Sequence, residues 1–351
     1  MSWEDNVRRV TPYVPGEQPK RKDIIKLNTN ENPYPPAPAV AEAIKNFDVD
    51  ALRKYPDPTI GNLIAALAES YQVPQDQIFV GVGSDDVLAM SFMTFFHGDK
   101  PILFPDITYS FYDVWAEEFE IPYITKPLRE DFTIDPQDYM GENGGIVLAN
   151  PNAPTGVEAS REVIERIVAA NPNSVVIIDE AYVDFGAESM LPLIEKYDNV
   201  LVTMTFSKSR SLAGSRIGFA MGSKKLIGYL NDVKYSFNSY TMDSLTIAIG
   251  CASLSDHGYF LKCCEDIIDT REWTKKELAA LGFTFQDSKT NFIFAKHATW
   301  SAEKLFEDLK EAGIYVRFFN KPRINEYLRI SIGTREEMGK LIDFLKDYNQ
   351  A

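Results

Sequence analysis

The chain of 351 residues is longer than a single hydrophobic core usually supports, which predicts one large and one smaller domain. A hydrophobic fraction of 45% with 25% charged residues is ordinary for a globular protein and argues against disorder. The formal net charge of −15 disfavours a nucleic-acid partner, because nucleic-acid binders present a basic face to the phosphate backbone.

Cysteine and histidine usage indicates the compartment and argues against a metal site. Cys263 and Cys264 are adjacent and the chain has only three cysteines, which gives neither a disulfide framework nor metal spacing and is typical of reduced thiols in the cytoplasm. No histidine lies in a zinc-binding motif, so we predict no metal. No signal peptide opens the chain and no apolar run is long enough to span a bilayer, so we expect a cytoplasmic protein without a membrane partner.

In chain order, a proline-rich start leads to an extended loop over residues 28–36, and helices are predicted at residues 38–47 and 60–71. Short runs of β-forming residues then end repeatedly in polar or glycine-rich turns. The predicted strands of this kind are residues 78–82, 101–104, 145–149, 174–178 and 199–204. Because ligands of α/β proteins bind beyond the carboxyl ends of parallel strands, these turns are candidate site segments.

The segment from Thr205 to Gly218, T-F-S-K-S-R-S-L-A-G-S-R-I-G, combines hydroxyls, a lysine and an arginine between two apolar runs. A partly desolvated lysine amine can attack a carbonyl, while hydroxyls and an arginine can hold a phosphate dianion. The segment resembles the lysine segment of fold type I pyridoxal-phosphate enzymes, the aspartate aminotransferase superfamily. The resemblance makes Lys208 the Schiff-base lysine and Thr205, Ser207 and Arg216 ligands of the phosphate of pyridoxal 5'-phosphate.

Two earlier turns resemble the same superfamily. In V-G-V-G-S-D-D, the resemblance implies that the backbone amides of Gly83, Ser84 and Asp85 bind the cofactor phosphate at a helix N-terminus. In P-D-I-T-Y-S-F-Y, it implies that Tyr109 stacks on the pyridine ring. A dinucleotide site is disfavoured at the first turn because the third glycine of that fingerprint is missing.

Two strand ends complete the predicted cofactor site. N-P-N-A-P-T-G resembles the superfamily turn N-P-x-N-P-T-G, but Ala153 stands where an asparagine usually bonds the cofactor's ring hydroxyl, and Asn152 is the nearest substitute. D-E-A-Y resembles the segment whose aspartate pairs with the pyridine nitrogen and whose tyrosine bonds the ring hydroxyl, here Asp179 and Tyr182. A carboxylate at the mouth of an apolar strand is costly unless a cation meets it, which agrees with that role.

Segments near both termini, L-N-T-N-E-N-P and L-R-I-S-I-G-T-R-E-E, resemble the histidinol-phosphate aminotransferase family. The resemblance implies that Tyr13, Asn30, Arg317 and Arg329 bind substrate. It also implies a homodimer with shared active sites, in which Tyr55 of R-K-Y-P crosses to the cofactor phosphate of the other subunit.

The predicted fold is α/β, with an aspartate-aminotransferase-like large domain that contains a mostly parallel sheet and with a smaller C-terminal α+β domain. We expect an N-terminal arm and substrate loop over residues 1–33, the large domain over 34–260 and the small domain over 261–351. The implied reaction is transamination of histidinol phosphate with 2-oxoglutarate, which gives imidazole acetol phosphate and glutamate in histidine biosynthesis.

Other functions remain open from the sequence. An aromatic amino-acid aminotransferase and a threonine-phosphate decarboxylase share the same motifs. A cofactor-binding transcription regulator would carry an N-terminal helix-turn-helix, for which too few residues precede Asn28. A nicotinamide dehydrogenase is disfavoured by the incomplete glycine fingerprint.

Overall fold

The structure is a computed structural model that describes residues 2–13, 16–20 and 23–349. Its strands, in chain order, are β1 (Ile25–Lys26), β2 (Ile78–Gly81), β3 (Ile102–Pro105), β4 (Tyr123–Lys126), β5 (Gly145–Ala149), β6 (Val176–Asp179), β7 (Val200–Thr205), β8 (Gly218–Gly222), β9 (Phe283–Phe285), β10 (Phe292–His297), β11 (Ile314–Tyr315), β12 (Arg317–Phe318) and β13 (Leu328–Ser331). Its α-helices are α1 (Pro38–Lys45), α2 (Gly61–Tyr71), α3 (Ser84–Phe95), α4 (Tyr112–Glu118), α5 (Arg161–Ala170), α6 (Lys224–Phe237), α7 (Ser244–Ser255), α8 (His257–Ala280), α9 (Ala302–Glu311) and α10 (Arg335–Tyr348).

The large sheet has seven strands in the order β2-β8-β7-β6-β5-β3-β4. Strand β8 runs antiparallel to both of its neighbours, and the remaining pairs are parallel. Successive residues of the central strands belong to two different core clusters, with Ile178 in one and Ile177 in the other. The sheet is therefore covered on both faces, as expected for parallel strands that consist of continuous apolar runs.

The C-terminal part contains an antiparallel sheet of order β12-β13-β10-β9, and β1 pairs with β11 in a separate parallel ribbon. The predicted α/β class, with a mostly parallel large sheet and a smaller α+β part, is confirmed. The predicted domain boundary at residues 260 and 261 falls inside α8. Within the described residues, no helix combines the length and hydropathy that a membrane crossing requires.

Residues 314–318 are divided between two sheets. β11 pairs with β1, whereas β12 pairs with β13. Pairing with distant strands therefore determines where β11 ends and β12 begins.

Candidate active site

The predicted cofactor residues lie near the carboxyl ends of parallel strands. Asp179 is the last residue of β6 and Thr205 the last residue of β7, while the turn at residues 150–156 follows β5. Because these three strands are adjacent in the sheet, their carboxyl ends open on one edge. The loop between the antiparallel neighbours β7 and β8 adds Lys208 and Arg216 to the same edge.

Asp179 is a buried carboxylate whose two oxygens are both held. The Tyr112 hydroxyl donates to Oδ2 at 2.8 Å, and the Ala181 backbone amide donates to Oδ1 at 3.2 Å. Burial nevertheless raises the pKa of Asp179 to about 6, because loss of hydration outweighs these hydrogen bonds. A cation placed beside this group would offset that desolvation.

Lys208 lies on a loop that the N-terminal segment holds in place. The Lys208 amine donates to the Thr29 carbonyl at 3.4 Å and lies 5.7 Å from the ring centre of Tyr182. The side-chain amide of Asn32 donates to the carbonyl oxygens of Lys208 at 3.0 Å and of Ser209 at 3.1 Å. These contacts fix the backbone that carries the lysine and direct its amine toward the tyrosine.

Asn30 connects Tyr182 to the C-terminal sheet. Its side-chain amide donates to the Tyr182 hydroxyl at 2.9 Å, while its amide oxygen accepts from the Ser331 hydroxyl at 2.9 Å. Its carbonyl accepts from Asn291 at 2.9 Å, and Asn30 adopts a left-handed φ of 57°. Three hydrogen-bonding side chains around one residue in this uncommon conformation give the loop after β1 a defined shape.

Hydroxyls and a guanidinium collect near the first turn of α3. The Thr205 hydroxyl donates to Ser207 Oγ at 3.0 Å, and Arg216 Nη1 donates to the same oxygen at 3.4 Å. A Cβ at Gly83, which has a φ of 90°, would lie 2.5 Å from Arg216 Nη2. Only glycine therefore allows the arginine to lie against the N-terminus of α3, which begins at Ser84.

Asp85 contributes its side chain to this cluster, a feature that the sequence analysis did not predict. Its Oδ2 forms an ion pair with Arg216 Nη2 at 3.0 Å, and its Oδ1 accepts from the Tyr109 hydroxyl at 2.8 Å. Burial, followed by the charge of Asp85, raises the pKa of Tyr109 well above its usual value, so the phenol stays protonated and donates. The carboxylate thus connects the predicted stacking tyrosine to the predicted phosphate-binding arginine.

Asn152 uses its side chain within its own neighbourhood. Its amide nitrogen donates to the Ile107 carbonyl and to the Thr155 hydroxyl, both at 2.9 Å, and its amide oxygen accepts from Thr108 at 2.8 Å. These bonds hold the turn after β5 against the loop after β3. The predicted contact of Asn152 with the cofactor's ring hydroxyl would require the amide to leave these partners.

Arg317 and Arg329 face each other in register on the neighbouring strands β12 and β13. Arg329 Nη2 donates to the Asn28 carbonyl at 2.9 Å, but its Nε is buried and has no hydrogen-bond partner among the described residues. Burial lowers the pKa of Arg329, and the charge of Arg317 lowers it further. Like charges directly opposite each other are unfavourable, so this pair is an arrangement that an anion would stabilise.

The last two predicted residues, Tyr13 and Tyr55, have different aromatic neighbours. Tyr13 stacks on Phe111, with 4.1 Å between the ring centres. Tyr55 is 83% exposed, and its only aromatic contact among the described residues is Tyr240 at 4.7 Å.

A cavity of about 590 Å³ adjoins the turn that follows β5, and its lining includes Asn152 together with Leu128, Phe132 and Ile164. Asn150, which also lines it, is already bonded to both backbone groups of Ala159. Within the described ranges, no cluster of three or more His, Cys, Asp or Glu side chains could hold a metal ion.

Sequence reasoning missed Tyr112, Asn32 and the buried pair of Ser209 and Asp184, whose hydroxyl and carboxylate oxygens are 2.5 Å apart. Asn32 belongs to the quoted L-N-T-N-E-N-P motif, which could have drawn attention to it. Tyr112 closes the quoted P-D-I-T-Y-S-F-Y motif, but its contact with Asp179, 67 positions away, could not be read from the sequence.

The chain matches the sequence profile of the family described as aminotransferase class I and II over residues 22–345. It is 54% identical over 348 residues to a histidinol-phosphate aminotransferase of Lactococcus lactis subsp. cremoris, covering 99% of this chain and 98% of the relative. It is 52% identical over 344 residues to a histidinol-phosphate aminotransferase of Clostridium botulinum, covering 98% and 97% of the two chains.

The fold also resembles solved structures. The crystal structure of histidinol-phosphate aminotransferase from Sinorhizobium meliloti in complex with pyridoxal-5'-phosphate superposes with a TM-score of 0.85 at 24% identity, covering 93% of this chain and 91% of the other. The sequence profile and the high identity over nearly full length agree with the order of motifs along the chain. This chain therefore belongs to the class I and II aminotransferase family, among the histidinol-phosphate aminotransferases.

Proposed function

We propose that the protein transfers the amino group of L-histidinol phosphate to 2-oxoglutarate with pyridoxal 5'-phosphate, forming imidazole acetol phosphate and glutamate in histidine biosynthesis. The names of the Lactococcus and Clostridium relatives support this substrate. The observation that carries the proposal is the facing pair Arg317 and Arg329, because the buried Nε of Arg329 has no hydrogen-bond partner among the described residues and an anionic ligand would supply one.

The residues fit the cofactor. The space that a Cβ of Gly83 would fill lies beside Arg216, and Ser207 Oγ accepts from both Arg216 and the Thr205 hydroxyl, which brings the three side chains together. With the N-terminal amides of α3, this is the donor set that a phosphate dianion requires. Ser84 and Asp85 would contribute backbone amides.

The remaining groups match the rest of the cofactor. Buried Asp179 would meet the pyridine nitrogen, Tyr109 would stack on the ring, and Tyr182 would bond the ring hydroxyl. Lys208 would hold the cofactor covalently through its amine. Asn152 remains a prediction as a second ligand of the ring hydroxyl.

When bound, the cofactor supplies the electron sink that makes the substrate Cα–H acidic. The chain supplies orientation and proton transfer. Lys208 would accept the proton from the substrate Cα and later donate a proton, as general base and then general acid. Asn32 and Thr29 hold the lysine segment so that its amine lies near the ring of Tyr182.

The same pocket must serve both substrates in turn. Histidinol phosphate brings a dianion and 2-oxoglutarate brings carboxylates, so one pair of guanidinium groups suits both. We propose that Arg317 and Arg329 bind these anionic groups, with Tyr13 and Asn30 on the N-terminal side. A shared pocket that is alternately occupied predicts ping-pong kinetics.

We further propose a homodimer in which Tyr55 completes the site of the partner subunit. Tyr55 is 83% exposed and packs against the exposed Tyr240, with 4.7 Å between the ring centres. Asp57 holds the loop rigid by accepting from the backbone amides of Thr59 and Gly61, both at 2.9 Å. A braced tyrosine that points away from its own subunit is suited to reach a neighbouring one.

We also propose a cytoplasmic location, which the free cysteines support.

The experiment reduces the purified protein with borohydride after loading it with pyridoxal 5'-phosphate and maps the label by mass spectrometry. We expect a visible absorption band that disappears on reduction, with the label on Lys208. Label on another lysine would contradict the assignment. Initial rates with histidinol phosphate should exceed those with phenylalanine and tyrosine, and the reverse order would favour an aromatic aminotransferase instead.

A further inference from the structure

Tyr112 is the buried partner of the carboxylate expected to face the cofactor's ring nitrogen. It is the first residue of α4 and has no exposed surface. Its hydroxyl donates to Asp179 Oδ2 at 2.8 Å and has no other hydrogen-bond partner among the described residues. A phenol that is buried with one hydrogen bond to a carboxylate needs a physical explanation, because such a group could have been replaced by phenylalanine.

Packing holds the tyrosine ring in this position. Its ring centre lies 5.9 Å from that of Phe104 and 6.2 Å from that of Phe92, and it meets Tyr109 edge-on at 5.7 Å. With the ring fixed between these aromatics, the hydroxyl cannot follow Asp179 if the carboxylate rotates. The hydrogen bond therefore fixes the carboxylate through a rigid support rather than through a flexible side chain.

We propose that Tyr112 is a positioning residue for the transamination: its hydroxyl fixes the orientation of the Asp179 carboxylate and keeps it ionised in the buried site, so that the cofactor's protonated ring nitrogen meets a preformed anion. The inference rests on the proposed function, because it assumes that Asp179 meets the pyridine nitrogen. Tyr112 acts through Asp179 and is not assigned a contact with the cofactor.

The charges around Asp179 explain why such help is needed. Burial acts against its anionic form, and the carboxylate of Asp85 acts in the same direction. The adjacent Glu180 is also a buried acid, and the charge of Asp179 contributes to raising the pKa of Glu180 to about 8. The amine of Lys208 favours the anion, but it is a smaller influence than the hydrogen bonds of Tyr112 and Ala181. Among neighbouring side chains, the Tyr112 hydroxyl is thus the largest influence that favours the charged form.

The hydroxyl can serve only as a donor at working pH. Burial, and then the charge of Asp179, raises the pKa of Tyr112 well above its usual value, so the phenol does not ionise. An O–H donor to a carboxylate stabilises the anion more than the neutral acid, because the charged acceptor forms the stronger hydrogen bond. Removing it should therefore make Asp179 easier to protonate.

The test compares Tyr112→Phe with the parent enzyme by titrating each apoenzyme with pyridoxal 5'-phosphate at pH values from 5 to 9. At each pH, the cofactor dissociation constant of the variant is divided by that of the parent. The titration of the cofactor itself affects both proteins equally, so it cancels in this ratio. Loss of a hydrogen bond to a charged group should raise the pKa of Asp179 by about one unit or more. The variant should bind the cofactor about tenfold more weakly below pH 6, and the ratio should approach one above pH 8.

Thr203→Val is the matched control. Thr203 is the register partner of Asp179 on β7, and its hydroxyl is buried without a hydrogen-bond partner among the described residues. This variant removes a neighbouring hydroxyl without removing a bond to Asp179, so its cofactor affinity should depend on pH as the parent's does. Thermal unfolding of each apoenzyme separates a general loss of packing from the pH-dependent effect.

Steady-state kinetics give a second, independent measurement. With saturating cofactor, Tyr112→Phe should lower kcat by roughly tenfold while KM for histidinol phosphate stays within about twofold, because the tyrosine supports the cofactor and not the substrate anion. A pH-independent ratio of dissociation constants, or an equal shift in Thr203→Val, would overturn the inference. If the parent apoenzyme bound no cofactor, the proposed function would fail before Tyr112 came into question.

Discussion

Arg329→Lys tests whether the facing arginines recognise the anionic group of the substrate. The guanidinium gives one hydrogen bond to the Asn28 carbonyl at 2.9 Å, while Nε has no partner within the described part of the chain. Its plane is set by Phe292 and Phe319, whose ring centres lie 5.4 Å and 5.5 Å away. The guanidinium group of Arg329 is therefore already oriented before the substrate binds.

A lysine at this position keeps the charge but loses the planar fork. It can replace the Coulomb attraction and one hydrogen bond, whereas the second hydrogen bond of a bidentate contact is lost. A hydrogen bond to a charged group contributes about 1.5–3 kcal/mol, which corresponds to a fall in kcat/KM of roughly 10-fold to 150-fold. Arg329→Ala should cost about 2–5 kcal/mol, or tens-fold to thousands-fold.

The assay measures kcat/KM for histidinol phosphate and, separately, for histidinol, which lacks the phosphate. The penalty of Arg329→Lys should appear with the first substrate and be nearly absent with the second. Arg335→Lys is the control, since Arg335 stacks on Trp273 at 3.6 Å on another face of the small domain. An equal fall in kcat/KM with both substrates would show that Arg329 supports the fold or the cofactor and does not bind the anionic group. If Arg317→Ala and Arg329→Ala both stayed within a few-fold of the parent, and an aromatic amino acid were the better substrate, the aromatic aminotransferase hypothesis should replace ours.

Three further predictions concern the cofactor side of the site. Folding raises the pKa of Asp179 from 3.8 to about 6, so between these pH values the folded apoenzyme keeps Asp179 protonated whereas the unfolded chain does not. The free energy of unfolding should therefore fall by about 3 kcal/mol as pH rises through that window. Urea unfolding at pH 4 and pH 7 should show this loss in the parent and not in Asp179→Asn; an identical slope in both would contradict it. Mixing inactive Tyr55→Ala and Lys208→Ala subunits should restore activity through heterodimers with one intact site, and no recovery after verified subunit exchange would count against shared sites. Asn32→Ala removes two hydrogen bonds from the lysine loop, so kcat should fall by roughly tenfold or more with little change in thermal stability, and unchanged kcat would exclude this role.

The sequence predicted those parts of the molecule that local pattern determines. Apolar runs that end in polar residues indicated the strands carrying Asp179 and Thr205, and a parallel sheet brings such ends to one edge. The lysine loop could be located because its polar residues interrupt two apolar runs. Arg317 and Arg329 were singled out only by the family resemblance, and they lie in register on neighbouring strands.

Other features depend on contacts that no local pattern encodes. The bond from Tyr112 to Asp179 joins α4 to β6, and the ion pair from Arg216 to Asp85 spans 131 positions. The split of residues 314–317 between two sheets follows from pairing with β1, near the other end of the chain. Asn152 illustrates a different limit: its amide was expected to face a ligand, but neighbouring hydroxyl and carbonyl groups use it.

The hydrogen bonds of Asn30 have a consequence for how the enzyme matures during synthesis. Asn30 and Ser331 are 301 positions apart, so the ribosome makes the first long before the second exists. The large sheet consists of strands complete by Gly222, and it can assemble while the C-terminal part is still being made. The strand β1 and the loop after it must wait for β11 and β13, and contacts of such separation form late because the chain entropy they restrict is large. In a nascent chain, the predicted phosphate-binding residues Thr205, Ser207 and Arg216 should therefore reach their places first. The contacts of Asn30 with the C-terminal sheet should form only after the chain leaves the ribosome.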